Sequence, residues 1–392
     1  MAKLTVRELD VRNKRVFVRV DFNVPLAADG TISDDSRIRA SLPTIRFLIE
    51  QDATLILASH LGKAKGRPDP AFSLKPVAAR LAELLGRPVV FVPDCVGPAT
   101  EKAVAAAGSG SVLLLENLRF YPGETSNDPA FCRELAQLTD LYVNDAFGTA
   151  HRAHASTAGM AALFAKPAAG LLMDREIRFL SQLVSSPARP YVAIIGGAKV
   201  SDKAGVIRNL LPKVDALLVG GGAAFSFLKA RGLEIGRSLW EPELLDEVRS
   251  LLSSPKLRLP SDIVVAASKD APSATTVPVE QIPSDQAGFD IGPITQAQFA
   301  GEIAGARTTV WAGPMGVFEN PAFSAGTRTV ASAMSEATAG GATTVAGGGD
   351  TAAALARLGF QDKVTHVSTG GSASLEFLEG RTLPGIAALA DA

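Results

Sequence analysis

Along most of this chain, short apolar β-branched runs alternate with stretches whose apolar residues recur every three or four positions. In the first half the runs fall at 14–21, 54–59, 88–92, 111–116 and 141–144, and they predict strands. Helical spacing predicts helices over 36–51, where Ile38, Leu42, Ile45, Leu48 and Ile49 share a face, and over 73–85, 98–107, 128–138 and 156–165. Residues 171–184 read as a further helix, followed by a loop at 185–190. The second half repeats the arrangement. Strands are expected over 192–195, 214–219, 262–266, 308–311, 343–346 and 364–367. Helices are expected from the turn at 199–203 to 211 and over 223–230, 241–252, 295–305, 322–337, 352–358 and 374–378. Apolar strands separated by helices make parallel sheets covered on both faces. The expected fold class is α/β, with two doubly wound parallel-sheet, Rossmann-like domains. The first spans 1–170, the second 171–379, and the helix over 171–184 is the shaft between them.

Composition narrows the class. The chain has 392 residues, too many for one core, with 47% apolar and 20% charged residues. A formal net charge of −1 argues against binding nucleic acid or a membrane surface. Cys95 and Cys132 form no CxxC, and no histidine cluster accompanies them, which fits a reducing compartment without zinc. The first residues, MAKLTVREL, lack an apolar signal core, and no run approaches a membrane span. The expectation is a cytoplasmic enzyme.

In doubly wound sheets, ligands gather at the carboxyl ends of the strands. At those ends the first half places Asp21, Asn23, His60, Lys63, Arg119, His151, Arg152 and His154. Arginine forks suit phosphate and carboxylate oxygens, so the set points to a small, highly anionic molecule. Arg37 lies in the first turn of its helix, where a cation opposes the macrodipole unless an anion sits there.

The second half offers glycine turns instead. Lys199 and Lys203, four apart in GGAKVSDK at 196–203, would share one helical face and repel unless a polyanion lies between them. TTVAGGGDTAAAL at 343–355 reads as strand, glycine turn and helix start, with Asp350 and Thr351 at the expected cap. Backbone nests, two lysines and an aspartate beside a turn make a site for a Mg-nucleotide. No GxxxxGK[ST], HRD or DFG occurs, which excludes P-loop proteins and protein kinases.

The motifs RVDFNVP (19–25), SHLG (59–62), LLENLRF (114–120), NDAFGTAHRAHAS (144–156), GGAKVSDK (196–203), GPMGVFE (313–319), GGGDT (347–351) and STGG (368–371) together resemble the phosphoglycerate kinase family. They stand in the family's order and span nearly the whole chain. The resemblance implies reversible phosphoryl transfer: 1,3-bisphosphoglycerate and MgADP give 3-phosphoglycerate and MgATP. It implies that Asp21, Asn23, Arg37, His60, Lys63, Arg119 and Arg152 hold phosphoglycerate. It implies that Lys199, Lys203, Gly292, Glu319, Gly347, Gly348, Gly349, Asp350 and Thr351 hold ATP or ADP, and that Asp350 binds Mg²⁺. Arg37, Lys199 and Gly371 would meet the moving phosphoryl group, with the two lobes closing to bring them together. The C-terminal tail, about 380–392, would return to the first domain. A monomer is expected, with no nucleic-acid or membrane partner.

Three positions depart from the family pattern. Lys63 replaces a common arginine, and Ala312 replaces the asparagine of WNGP. Ser372 replaces a third glycine and would be strained by ~1 kcal/mol if its φ had to be positive. Two rival readings remain. Gly347, Gly349 and Ala352 match G-x-G-x-x-A, the mark of a dinucleotide-binding oxidoreductase, but no acidic strand end follows about 20 residues later. A non-catalytic binding protein on a decayed kinase scaffold is the other.

Overall fold

The computed structural model describes residues 2–27 and 29–392. The chain divides into two compact units, one of Met1–Arg178 with Thr382–Ala392, the other of Phe179–Arg381. The division falls within the helix Leu171–Ser185, between Arg178 and Phe179, rather than at the expected 170/171.

In the first unit the strands are β1 (Arg15–Arg19), β2 (Thr54–Ala58), β3 (Val90–Val92), β4 (Val112–Leu115), β5 (Leu141–Asn144) and β6 (Ala168–Ala169). They form one sheet in the order β3-β4-β2-β1-β5-β6, with every pairing parallel. β2 is buried along its full length, as its unbroken TLILA run requires under helices on both faces. β1 lies between β2 and β5, so the chain leaves it in one direction and later returns to its other side. The carboxyl ends around β1 are therefore the switch point where a crevice opens.

The second unit holds β7 (Tyr191–Ile195), β8 (Ala216–Val219), β9 (Leu257–Arg258), β10 (Asp262–Ala266), β11 (Thr275–Pro278), β12 (Ala287–Ile291), β13 (Thr308–Ala312), β14 (Thr343–Gly347) and β15 (His366–Val367). The main sheet runs β15-β14-β13-β7-β8-β9, again with parallel pairings. Its switch point lies between β7 and β13. Trp311 and Phe299 are buried in a core shared by this sheet and its helices.

Four expectations give way. β10 does not join the parallel sheet. It pairs antiparallel with β11, which is largely exposed, and with β12, which begins in half-buried residues, so neither carries a strong apolar pattern. The stretch 156–165 is not one helix but a π-turn at Ala155–Gly159 followed by a 3₁₀ turn at Ala161–Leu163. The helix after the paired lysines starts only at Ala204, with Lys203 as its cap, so Lys199 and Lys203 do not share a helical face. The helix after the glycine turn starts at Gly349, with Gly348 as its cap, so Asp350 and Thr351 lie inside the first turn.

The tail Thr382–Ala392 packs within the first unit. Gly385 N donates to Ala150 O at 2.8 Å and Ala390 N to Pro167 O at 2.9 Å. Lys3 Nζ pairs with Asp391 at 2.8 Å. Among the described residues no helix is long and apolar enough to cross a membrane.

Candidate active site

The polar groups of the first unit converge on the carboxyl ends of β1, β2, β4 and β5. Asp21 follows β1, is buried, and forms an ion pair with Arg37 in the first turn of the helix Ser36–Glu50. This pair answers in part the misplaced cation at that helix start. Asn23, half-buried, fixes the next loop: its Oδ1 accepts Gly62 N at 2.9 Å. Arg119 Nη1 in turn donates to Gly62 O at 2.7 Å. Asn117 stitches the same loops, accepting Leu61 N and Arg119 N and donating to the carbonyls of Leu61 and Phe72. Lys63 and Arg152 are exposed, and Arg152 Nε donates to His151 Nε2 at 3.1 Å.

His60 is buried, and its Nδ1 lies 3.2 Å from Arg19 Nη2. Arginine has no acceptor, so Nδ1 receives the bond and Nε2 carries the ring proton. Burial, reinforced by Arg19, Arg119, Arg152 and Arg37, pushes the imidazole well below its ordinary range. His154 is pushed down to about 4 by burial and then by Arg19, Arg119 and Arg152. Arg119 itself falls to about 10, through burial and then Arg152 and Arg19. Four guanidinium groups thus feel one another's field, with Asp21 and Glu124 as nearby carboxylates. Such a cluster is poised for an anion of several negative charges.

Arg19, Ser156 and Glu124 form a buried hydrogen-bonded link under this cluster that sequence reasoning passed over. Arg19 is 0% exposed at the end of β1 and donates from Nε to Ser156 Oγ at 2.7 Å. Ser156 Oγ donates on to Glu124 Oε1 at 2.6 Å, and Ser156 N donates to Oε2 at 3.0 Å. A charge between the buried Val18 and Val20 was the available signal.

The second unit presents two adjoining cavities. One, of about 520 Å³, is walled by Phe225, Gly288, Phe289, Pro314 and Glu319, with Gly197 and Asp350 at one part of its lining. The other, of about 470 Å³, is lined by Lys203, Gly348, Gly349, Asp350, Thr351 and Gly371. Asp350 belongs to both. The first has the size and mixed lining of a small-ligand site. Gly288 is required there, because a Cβ would stand 2.1 Å from Phe225 Cζ. Glu319 is exposed on the wall.

Gly348 turns at φ +91°, which favours glycine, and lets the next helix begin under the strand end. Gly347 closes β14 opposite Ala312 of β13. Thr351 is fully buried: Oγ1 accepts Gly313 N at 2.7 Å and donates to Gly347 O at 2.8 Å. Its hydroxyl is therefore a bolt between two strand ends, and only its backbone is left for a ligand. Lys203 is half-buried; burial lowers its pKa, against Asp202, Asp350 and Glu379. Lys199 is exposed in the turn after β7, between Ala198 of the first cavity and Ser201 of the second. Glu241, missed in the sequence, secures that turn by accepting Ser201 N at 2.9 Å and Oγ at 2.5 Å.

Gly292 is placed elsewhere. It caps the helix Pro293–Ala304 and lies against Asp262, whose oxygens a Cβ would approach to 2.3 Å. It lines neither cavity; four residues earlier, Gly288 does. Gly371 turns at φ +54° before the helix Ser372–Leu378. Ser372 has ordinary helical backbone, so the anticipated strain is absent. Ala312 is buried at the end of β13.

A family model described as phosphoglycerate kinase matches residues 6–381. The phosphoglycerate kinase of Koribacter versatilis is 53% identical over 403 residues, 99% of each chain. That of Synechococcus sp. strain JA-3-3Ab is 53% identical over 413 residues, the whole of each chain. Among solved structures, phosphoglycerate kinase from Coxiella burnetii aligns with TM-score 0.88 at 43% identity, covering 98% of both chains. The enzyme from Pyrococcus horikoshii aligns with TM-score 0.85 at 33% identity over the same share. This chain belongs to the phosphoglycerate kinase family.

Proposed function

We propose that the protein catalyses reversible phosphoryl transfer between MgATP and the carboxylate of 3-phosphoglycerate, giving MgADP and 1,3-bisphosphoglycerate, a step of glycolysis. The observation that carries this is the pairing of a family match over residues 6–381 with two different anion-binding sets, each at a sheet switch point. The arginine–histidine set of the first unit suits phosphoglycerate. Asp21, Asn23, His60, Arg119 and Arg152 would hold it, with Lys63 as a point charge at the edge and Arg37 meeting the moving group.

The nucleoside would occupy the cavity of Phe225, Gly288 and Glu319, with its hydroxyls toward the Glu319 carboxylate. Its phosphates would run past Asp350 toward Lys203, the amides of Gly348 and Gly349, and Gly371. Lys199 would reach the transferred phosphoryl from the turn after β7. Asp350, which lines both cavities, would hold Mg²⁺, directly or through water. Bound there, the ion would neutralise charge on the phosphate oxygens.

Transfer is direct. The bond from phosphorus to the nucleotide's β-phosphate oxygen breaks as that to the carboxylate forms, and charge spreads over three equatorial oxygens. Fixed cations and backbone amides stabilise that charge without reorganising. The family match leaves the oxidoreductase reading without support, and the same residues argue against a decayed scaffold. Both cysteines are free and buried, which supports a reducing compartment such as the cytoplasm. We read the protein as a monomer acting on small molecules. A coupled assay with 3-phosphoglycerate and MgATP tests the reading: acyl phosphate should form only when both are present, and no turnover above background would refute it.

A further inference from the structure

Three hydroxyl side chains line the cavity that holds Lys203 and Asp350: Ser201, Thr351 and Ser372. Two are already committed. Ser201 Oγ donates to Glu241 at 2.5 Å, and Thr351 Oγ1 donates to Gly347 O while accepting Gly313 N. Ser372 is different. It is exposed at the start of the helix Ser372–Leu378, and no hydrogen bond engages its hydroxyl among the described residues. Its backbone is unstrained, so serine is accommodated here without a conformational penalty.

Its place along the nucleotide path gives the hydroxyl a target. Phe225 and Gly288 mark the nucleoside end of the first cavity, and Asp350 is common to both. Phosphates entering the second cavity past Asp350 extend away from the nucleoside. On that path the outermost phosphate, the one that is transferred, would reach the wall of Gly371 and Ser372. On that wall the neighbouring side chains cannot donate freely. Glu376 and Glu379 are acceptors, and Arg381 is engaged by both, at 3.8 and 2.7 Å.

We propose that Ser372 is a further catalytic residue, whose hydroxyl donates a hydrogen bond to an equatorial oxygen of the phosphoryl group in flight. Ser372 keeps its proton throughout; it forms no bond to phosphorus, and the group passes only between nucleotide and carboxylate. A donor at this point acts on charge that develops during transfer, so it raises kcat rather than nucleotide affinity. This role follows from the free hydroxyl and its place in the cavity, given the phosphotransfer reading above.

The test compares Ser372→Ala and Ser372→Thr with the natural enzyme by kcat, by the Kd for MgADP from calorimetry, and by Tm. Loss of one hydrogen bond to a charged oxygen is expected to lower kcat about tenfold in Ser372→Ala. The Kd is expected to stay within about twofold, by the same separation of ground from transition state. Ser372→Thr, which keeps the hydroxyl, should recover most of the rate. Unchanged kcat in Ser372→Ala would overturn the proposal. So would a parallel loss of MgADP affinity, or an equal loss in Ser372→Thr. Activity of the natural enzyme in the same assay tests the parent reading separately.

Discussion

Arg19 Nη2 and His60 Nδ1 lie 3.2 Å apart in the buried floor beneath the first unit's arginines. The contact settles which ring nitrogen bears the proton. It also helps hold the imidazole neutral, because burial and four guanidinium groups all oppose a further charge.

A neutral donor is replaceable by an amide. His60→Gln should keep the KM for 3-phosphoglycerate within about threefold, whereas His60→Ala should raise it roughly tenfold or more, as expected for losing a hydrogen bond to a charged ligand. The ratio of KM between His60→Gln and the natural enzyme should stay constant from about pH 6 to 8, since neither group titrates there. Steady-state kinetics across that range check it; a ratio falling toward high pH would mean that the imidazolium binds.

Asp290 gives a stability signature. Burial raises its carboxyl to about 7, although Oδ2 accepts Gly326 N at 2.8 Å and Oδ1 accepts Ile291 N at 2.9 Å. Between about 3.8 and 7 the folded protein keeps a proton there that the unfolded chain has lost, so this group's contribution to stability falls as pH rises through that window. Asp145, also raised to about 7 by burial, acts in the same direction. His60 and His154 act oppositely, their contribution falling as pH drops below 6.5. Asp290→Asn removes one titration. Its Tm minus that of the natural protein should therefore increase from pH 5 to 7 and level off above it; a constant difference in calorimetric scans would contradict the assignment.

The bolt at Thr351 can be tested by its hydroxyl. Thr351→Val leaves Gly313 N–H without its acceptor in a buried place and should cost about 1–3 kcal/mol. Thr351→Ser keeps both bonds and should cost distinctly less. Denaturant unfolding followed at Trp311, buried beside this turn, reads the difference.

Two glycines should separate by phenotype. In Gly288→Ala the new methyl displaces the Phe225 ring, so the KM for ADP should rise while that for the phosphoglycerate is unchanged. Gly292→Ala meets Asp262, whose oxygens accept Ile294 N and Thr295 N at the start of the helix Pro293–Ala304. It should lower Tm with little selective effect on nucleotide. Thermal melts and initial rates on both variants decide; a selective ADP defect in Gly292→Ala would reverse the placement.

The parallel sheets were legible because strands such as TLILA at 54–58 are buried on both faces and so carry unbroken apolar runs. β11 and β12 were not. Thr275–Pro278 is almost wholly exposed, and Ala287–Ile291 begins in partly open residues, so neither carries a strong period. Gly288, which lines the first cavity, sits on β12 and so lay outside any pattern the sequence carried, whereas Gly292 came from the family resemblance. The charged strand ends were visible one at a time. Their support was not, because the link through Ser156 to Glu124 ties Arg19 to residues more than a hundred positions further along the chain. Thr351 looked like a cap by its position after three glycines, but Gly348 could already turn at φ +91°, which freed the threonine to tie strand ends together.

The central claim is direct transfer between two separately held ligands, and isotope tracing tests it most closely. The enzyme is incubated with γ-labelled MgATP, with and without 3-phosphoglycerate, and acyl phosphate is trapped with hydroxylamine. Label should reach the phosphoglycerate only when both substrates are present, with none on the protein. Arg37→Ala and Lys199→Ala should each slow the transfer by roughly 3–4 kcal/mol of barrier, in line with losing one preorganised charge-stabilising group. Label retained on the protein in the absence of 3-phosphoglycerate, or near-full transfer by either variant, would contradict the account.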